Sequence, residues 1–76
     1  MDIMEQIMTI AKDTFRDEGL QPTFKIESAR AFDSMGLVQF TIELESYFKV
    51  KIGDDEVIGS MTFEEVREVL QKKINP

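Results

Sequence analysis

The chain contains no cysteine and no histidine. Without cysteine there is no disulfide framework and no thiolate for nucleophilic or redox chemistry. Without histidine, Ser–His and Cys–His pairs and imidazole metal sites are excluded. The chain is therefore expected not to be an enzyme. It also lacks an apolar run of membrane-spanning length and a basic-then-apolar leader, so a cytoplasmic protein without membrane insertion is expected. Internal repeats and low-complexity segments are missing as well. What is present fits one small domain over residues 1–76. Of the 76 residues, 42% are hydrophobic and 32% charged, a balance that builds a modest core rather than a disordered chain.

Basic charge is also short. The net charge is −6, and nine acids against three bases between residues 33 and 68 account for all of it. Such a field disfavours nucleic acid and anionic membranes and favours partners with basic patches. Part of it serves solubility. Its concentration around one half of the chain suits steering of partners to that half.

Periodicity predicts an all-α fold: a small bundle of three longer helices and one short helix, joined by long connections. Residues 2–16 read as the first helix, with Ile3, Ile7, Ile10 and Thr14 on one face and Met4, Met8, Ala11 and Phe15 beside them. Asp2 with Glu5 has the spacing of a capping box, and Gly19 fits a helix stop. Asp17 and Glu18 oppose the helix dipole there, and the sequence offers no reason for them. Pro22 blocks continuation. Thr23–Glu27 alternates like a strand without an obvious partner, so a loop is expected, with Phe24 and Ile26 packed inward and Phe32 plugging the core ahead of residue 34. Val50 and Ile52 point inward. Asp54 is expected to cap a short helix to about Ile58, ended by Gly59. Residues 62–74 form the last helix, with a Thr62/Glu65 capping box and an apolar stripe of Phe63, Val66, Val69, Leu70 and Ile74. Lys72 and Lys73 sit where its dipole favours cations, and Pro76 lies beyond its end. Asp54-Asp55-Glu56 is too short for an EF-hand loop and reads as capping charge rather than a metal site.

Residues 34–48 carry the strongest functional signal. At about 100° per residue, Leu37, Phe40, Thr41, Leu44, Tyr47 and Phe48 share one side, which is the core face. Met35, Val38 and Ile42 fall nearly opposite. A chain this short does not readily bury both sides of one helix, so the second stripe is either covered by a loop or exposed for docking. Ser34 stands at or near the N-cap, where serine is favoured for its own sake. A hydroxyl there is also well placed to carry a phosphate, because free N–H groups and the positive dipole end favour an anion. Asp33 sits beside it.

Phe32-Asp33-Ser34-Met35-Gly36, the helix to Phe48, and Val50-Lys51-Ile52 resemble the central segment of acyl carrier proteins. So do the acidic stretch Asp54-Asp55-Glu56 and the helix start Thr62-Phe63-Glu64-Glu65-Val66. The likeness covers roughly the C-terminal two-thirds of the chain; the first helix matches only in position and pattern. It implies an acyl-carrier-like four-helix bundle that carries acyl intermediates as thioesters on a 4′-phosphopantetheine arm attached to Ser34. The pathway implied is fatty-acid synthesis or specialised lipid or polyketide-type synthesis. Asp33 would support the modification, with Mg²⁺ required only during transfer and no resident metal. Met35, Val38 and Ile42 would dock partners, and Glu43 and Glu45 would add charge contacts. The implied partners are a phosphopantetheinyl transferase, an acyl- or aminoacyl-loading ligase or transferase, and downstream synthases with basic patches. The carrier itself would be a monomer.

The sequence departs from fatty-acid carriers in places. Ala29-Arg30-Ala31-Phe32 stands where a Leu-Gly step precedes Asp-Ser, Gly36 replaces an acidic residue, and Gln39 and Ser46 replace glutamates. The run Asp33-Ser34-Met35-Gly36 with Val38-Gln39 is similar to some D-alanyl carriers, so an aminoacyl carrier is the alternative. The Gly-Gly common before the serine in peptidyl carriers is absent. A third reading, an unmodified helical adaptor, keeps the stripe and the acidity but gives Ser34 no chemistry.

Overall fold

Three amphipathic segments fold around a row of phenylalanines in the computed structural model, which describes residues 2–75. The helices are α1 (Met4–Phe15), α2 (Ser34–Phe48) and α3 (Phe63–Ile74), with a single 3₁₀ turn at Ile26–Ser28 in the first long connection. No strand forms among the described residues beyond one isolated antiparallel bridge between Lys25 and Thr62. The radius of gyration, 11.1 Å, is that of a folded chain of this length. No helix is long and apolar enough to cross a membrane among the described residues. Pro76 lies outside them.

Each helix buries one face, but in α1 that face is the set flanking the Ile3/Ile7/Ile10/Thr14 row: of the row only Ile7 is buried, and Ile3, Ile10 and Thr14 are half-buried. From α1 come Met4, Ile7, Met8, Ala11 and Phe15; from α2, Phe40 and Leu44; from α3, Phe63, Val66 and Leu70. Phe15, Phe40 and Phe63 are fully enclosed. Their rings run in series, Phe15 to Phe40 at 5.6 Å and Phe40 to Phe63 at 5.9 Å in an edge-on arrangement that aromatic quadrupoles favour. Half-buried Phe32 extends the row to Phe15 at 6.0 Å, as expected of a plug ahead of residue 34. α1 packs on both other helices. It runs antiparallel to α2: Phe15 at its end meets Phe40 in the first half of α2, and Glu5 and Gln6 in its first turn lie with Tyr47 in the last turn of α2.

The ends differ from the sequence expectations. Helix α1 starts two residues late, because Asp2 accepts the Met4 N–H at 2.9 Å from outside the helix and Ile3 occupies the cap without a side-chain bond. It stops at Arg16, before Gly19. Arg16 adopts a left-handed conformation (φ 52°), and the Asp17 N–H donates to the Lys12 carbonyl at 3.1 Å, closing the helix without glycine. Lys49 (φ 58°) ends α2 in the same way. Asp17, unexplained in the sequence, is a loop pin: its carboxylate accepts from Gly19 N at 3.0 Å and from Arg30 N at 2.9 Å.

The strand-like segment 23–27 does find a partner, the residues leading into α3. Ile26 N donates to Met61 O and Glu27 N to Gly59 O, both at 2.9 Å. This pairing buries Ile26 but turns Phe24 outward, at 43% exposure, against expectation. The fourth, short helix is also replaced. Residues 54–57 form a turn in which the Gly53 N–H donates to Glu56 Oε1 at 2.6 Å and the Glu56 N–H to Gly53 O at 3.1 Å. Ile52 and Val57 are buried and fix this connection to the core. The Thr62/Glu65 capping box of α3 forms as read, with Thr62 N donating to Glu65 Oε1 at 2.9 Å. Ile74, read as stripe, is exposed at its frayed end.

Candidate functional site

The start of α2 decides what Ser34 is free to do. Asp33, not Ser34, is the N-cap: its backbone is extended, and its Oδ1 accepts the Gly36 N–H at 2.6 Å. The carboxylate suits this place because it meets both an orphan donor and the positive dipole end. Ser34 is thereby displaced to the first helical position. It is exposed, and its hydroxyl has no hydrogen-bond partner among the described residues.

Gly36 makes this start possible. A β-carbon there would lie 3.0 Å from Phe15 Cε1 and 3.2 Å from Asp33 Oδ1. The first turn of α2 thus rests directly on the Phe15 ring, which fixes the height of Ser34 above the core.

The second stripe is uncovered. Met35 is 78% exposed, Val38 56% and Ile42 49%, so no loop among the described residues lies over them. The core face is narrower than the periodicity implied. Phe40 and Leu44 are fully buried, Leu37, Thr41 and Phe48 are half-buried, and Tyr47 is 59% exposed. Tyr47 lies at the edge of the face, where the last turn of α2 passes the beginning of α1.

Between the stripe and the second connection runs a groove of about 170 Å³. Leu37, Val38, Thr41 and Ile42 form one wall, and Ile52 and Val57 the other. Sequence reading placed Ile52 inward but did not anticipate the groove, because it arises only when residues 50–57 fold back on α2. The inward alternation of Val50 and Ile52 was the available signal.

The expected acidic contacts sit apart from one another. Glu45 is half-buried at the groove, and its Oε2 accepts the Ile52 N–H at 2.8 Å, so it holds the groove wall. Glu43 accepts from Gln39 Nε2 at 2.8 Å and faces a different groove, towards α1. In the 54–56 cluster, Glu56 is paired with Lys73 Nζ at 2.9 Å. That hydrogen bond, with the one from the Gly53 N–H, holds its carboxyl below the usual range. No group of three or more metal-ligating side chains gathers among the described residues.

The chain matches no known family model, no curated protein and no solved structure.

Proposed function

We propose that the chain is a carrier protein whose Ser34 receives 4′-phosphopantetheine and which then holds acyl intermediates as thioesters for lipid or related synthesis. The carrying observation is the division of labour at the helix start. Asp33 takes the capping bond, and Ser34 keeps an exposed, unengaged hydroxyl on a rigid first turn beside an uncovered apolar stripe. A serine that served only as a cap would hold the bond that Asp33 holds here.

The residues present fit the group. Ser34 Oγ has open space around it, and α2 offers N–H groups and a positive dipole end to a phosphodiester. Ser34 Oγ attacks the β-phosphorus of coenzyme A, a new P–O bond forms, the bond to the departing 3′,5′-ADP breaks, and the hydroxyl proton passes to a base of the transferase. By the family resemblance, Asp33 would be the residue of this chain to support the Mg²⁺ that the transfer would require. When bound, the group supplies the thiol that a chain without cysteine lacks. Met35, Val38 and Ile42 offer the apolar contact for the transferase, the loading enzyme and the synthases, and the acidic half steers their basic patches. The carrier catalyses nothing itself and acts as a cytoplasmic monomer. The turn at 54–57 stands where the resemblance implies a fourth helix. The aminoacyl alternative keeps every role at Ser34 and changes only the cargo.

The test is incubation of the pure protein with coenzyme A, Mg²⁺ and a broad-specificity phosphopantetheinyl transferase, followed by intact mass. The parent is expected to gain one phosphopantetheinyl group and Ser34→Ala none. No gain across several transferases, with the fold intact, leaves an unmodified adaptor. Loading of the arm by an acyl ligase or by an amino-acid-adenylating ligase then separates the two cargo classes.

A further inference from the structure

A second groove lies on another side of α2, shared with α1. Its two stretches meet at Thr9 and Ile10. One, of about 240 Å³, reaches Glu5, Gln6 and Tyr47. The other, of about 450 Å³, is bounded by Asp13, Thr14, Glu18 and Glu43. At about 100° per residue, its α2 residues Glu43 and Tyr47 stand roughly 130° around the helix from the Met35/Val38/Ile42 stripe. An occupant here leaves the Ser34 face open.

Three features define what fits. The groove carries the carboxylates of Glu5, Asp13, Glu18 and Glu43 against one ammonium, that of Lys12. Among the described residues the ion pairs are Arg67–Asp2 and Lys73–Glu56, and neither draws on these four acids. At one end an apolar anchor waits: the exposed Tyr47 ring, held edge-on to Phe48 at 4.9 Å, with half-buried Ile10 beside it. Below that end, Gln6 Oε1 is shut away from solvent without a hydrogen-bond donor among the described residues.

These features select one class of occupant. A second copy of this chain, also at −6, is repelled, and so are nucleic acid and anionic lipid. Small cations satisfy the acids but not Tyr47 and Ile10. We propose that the α1/α2 groove docks a basic amphipathic helix of a partner protein. Its apolar side rests on Ile10 and Tyr47, and its lysines and arginines face Glu5, Asp13, Glu18 and Glu43. The twelve-residue length of α1 fits a partner helix of about three turns. The inference does not depend on Ser34 carrying any group.

The test is an amide-resolved NMR titration of the isotope-labelled protein with an ~18-residue amphipathic Lys/Leu helix at about 0.15 M salt, beside a Glu/Leu helix of the same pattern. Only the basic peptide is expected to bind, with shifts centred on Thr9, Ile10, Tyr47 and the Gln6 side-chain amide. Asp13→Lys with Glu43→Lys should weaken it by roughly tenfold or more, Tyr47→Ala by several-fold, and Val38→Asp not at all. Shifts centred on Met35, Val38 and Ile42, or no binding, overturn the proposal. An unaltered affinity in Tyr47→Ala overturns it too, because the acids alone would then account for binding. The dispersion of each variant's amide spectrum verifies its fold.

Discussion

Asp33 Oδ1 lies 2.6 Å from the Gly36 amide nitrogen, so aspartate caps α2 and leaves the adjacent Ser34 hydroxyl unused. The two residues should therefore part company in stability measurements. Asp33→Ala is expected to cost about 1 kcal/mol through the lost cap, and Asp33→Asn to cost less because the amide oxygen still accepts. Ser34→Ala should fall within about 0.5 kcal/mol of the parent, as exposed substitutions do. Urea denaturation of the three variants checks this. A large loss in Ser34→Ala with none in Asp33→Ala would return the cap to serine and remove the main support for modification there.

The two sides of α2 should behave oppositely. Val38→Asp and Ile42→Asp lie on the uncovered stripe and should leave the urea midpoint nearly unchanged while slowing loading by a transferase. Phe40→Ala and Leu44→Ala empty fully buried sites and should cost roughly 2–5 kcal/mol. Phe48, only half-buried, should fall well below that range. Unfolding of either aspartate variant would show that the stripe is covered in solution.

Much of this was legible from spacing because local rules govern it. The capping box at Thr62, the buried face of α3 and the presence of a second apolar stripe on α2 each depend on residues a turn or two apart, whereas spacing leaves open whether that stripe is covered. What escaped depends on distant partners. The bridge that places Ile26 and exposes Phe24 needs residues 59–64, far along the chain. Tyr47 was assigned to the core by its angle on α2, but whether an edge position is covered depends on where α1 begins. Residues 54–58 carry helix-start chemistry, yet the Gly53–Glu56 hydrogen bonds and the Glu56–Lys73 pair hold a turn instead. At the site, the sequence reading puts Ser34 at or near the cap, and the structure gives the cap to Asp33; both residue types serve there, so spacing does not separate two adjacent positions.

Acid should loosen two connections. The Arg30 N–H hydrogen bond, followed by that of Gly19, lowers the Asp17 pKa below its ordinary 3.8; the Lys73 hydrogen bond, followed by that of Gly53, lowers Glu56 below 4.5. A depressed folded-state pKa adds stability above the unfolded value, and that stability is lost as pH falls through the folded value. The parent should therefore lose stability as pH falls from about 5, through the ordinary values of 4.5 and 3.8 and on through the lowered folded-state values. Asp17→Asn and Glu56→Gln should each differ from the parent at neutral pH and converge on it in acid. Thermal unfolding at a series of pH values gives the comparison. A difference that does not shrink in acid would mean that these carboxylates act by shape rather than charge.

Gly36→Ala offers the sharpest conflict between local and tertiary preference. Inside a helix, alanine is favoured over glycine by about 1 kcal/mol. Here the added carbon would stand 3.0 Å from the enclosed Phe15 ring and 3.2 Å from the capping carboxylate. Phe15 has little room to retreat, because Phe32 and Phe40 pack on it. Overpacking of this kind costs about 1–3 kcal/mol, so the substitution should destabilise in spite of the helical gain. Phe15→Leu, which removes the ring edge, should make Gly36→Ala less costly, and a double-mutant cycle in urea measures that coupling. Stabilisation by Gly36→Ala in the parent would mean that α2 stands further from α1 than the geometry gives, and that the height of Ser34 is set by something other than Phe15.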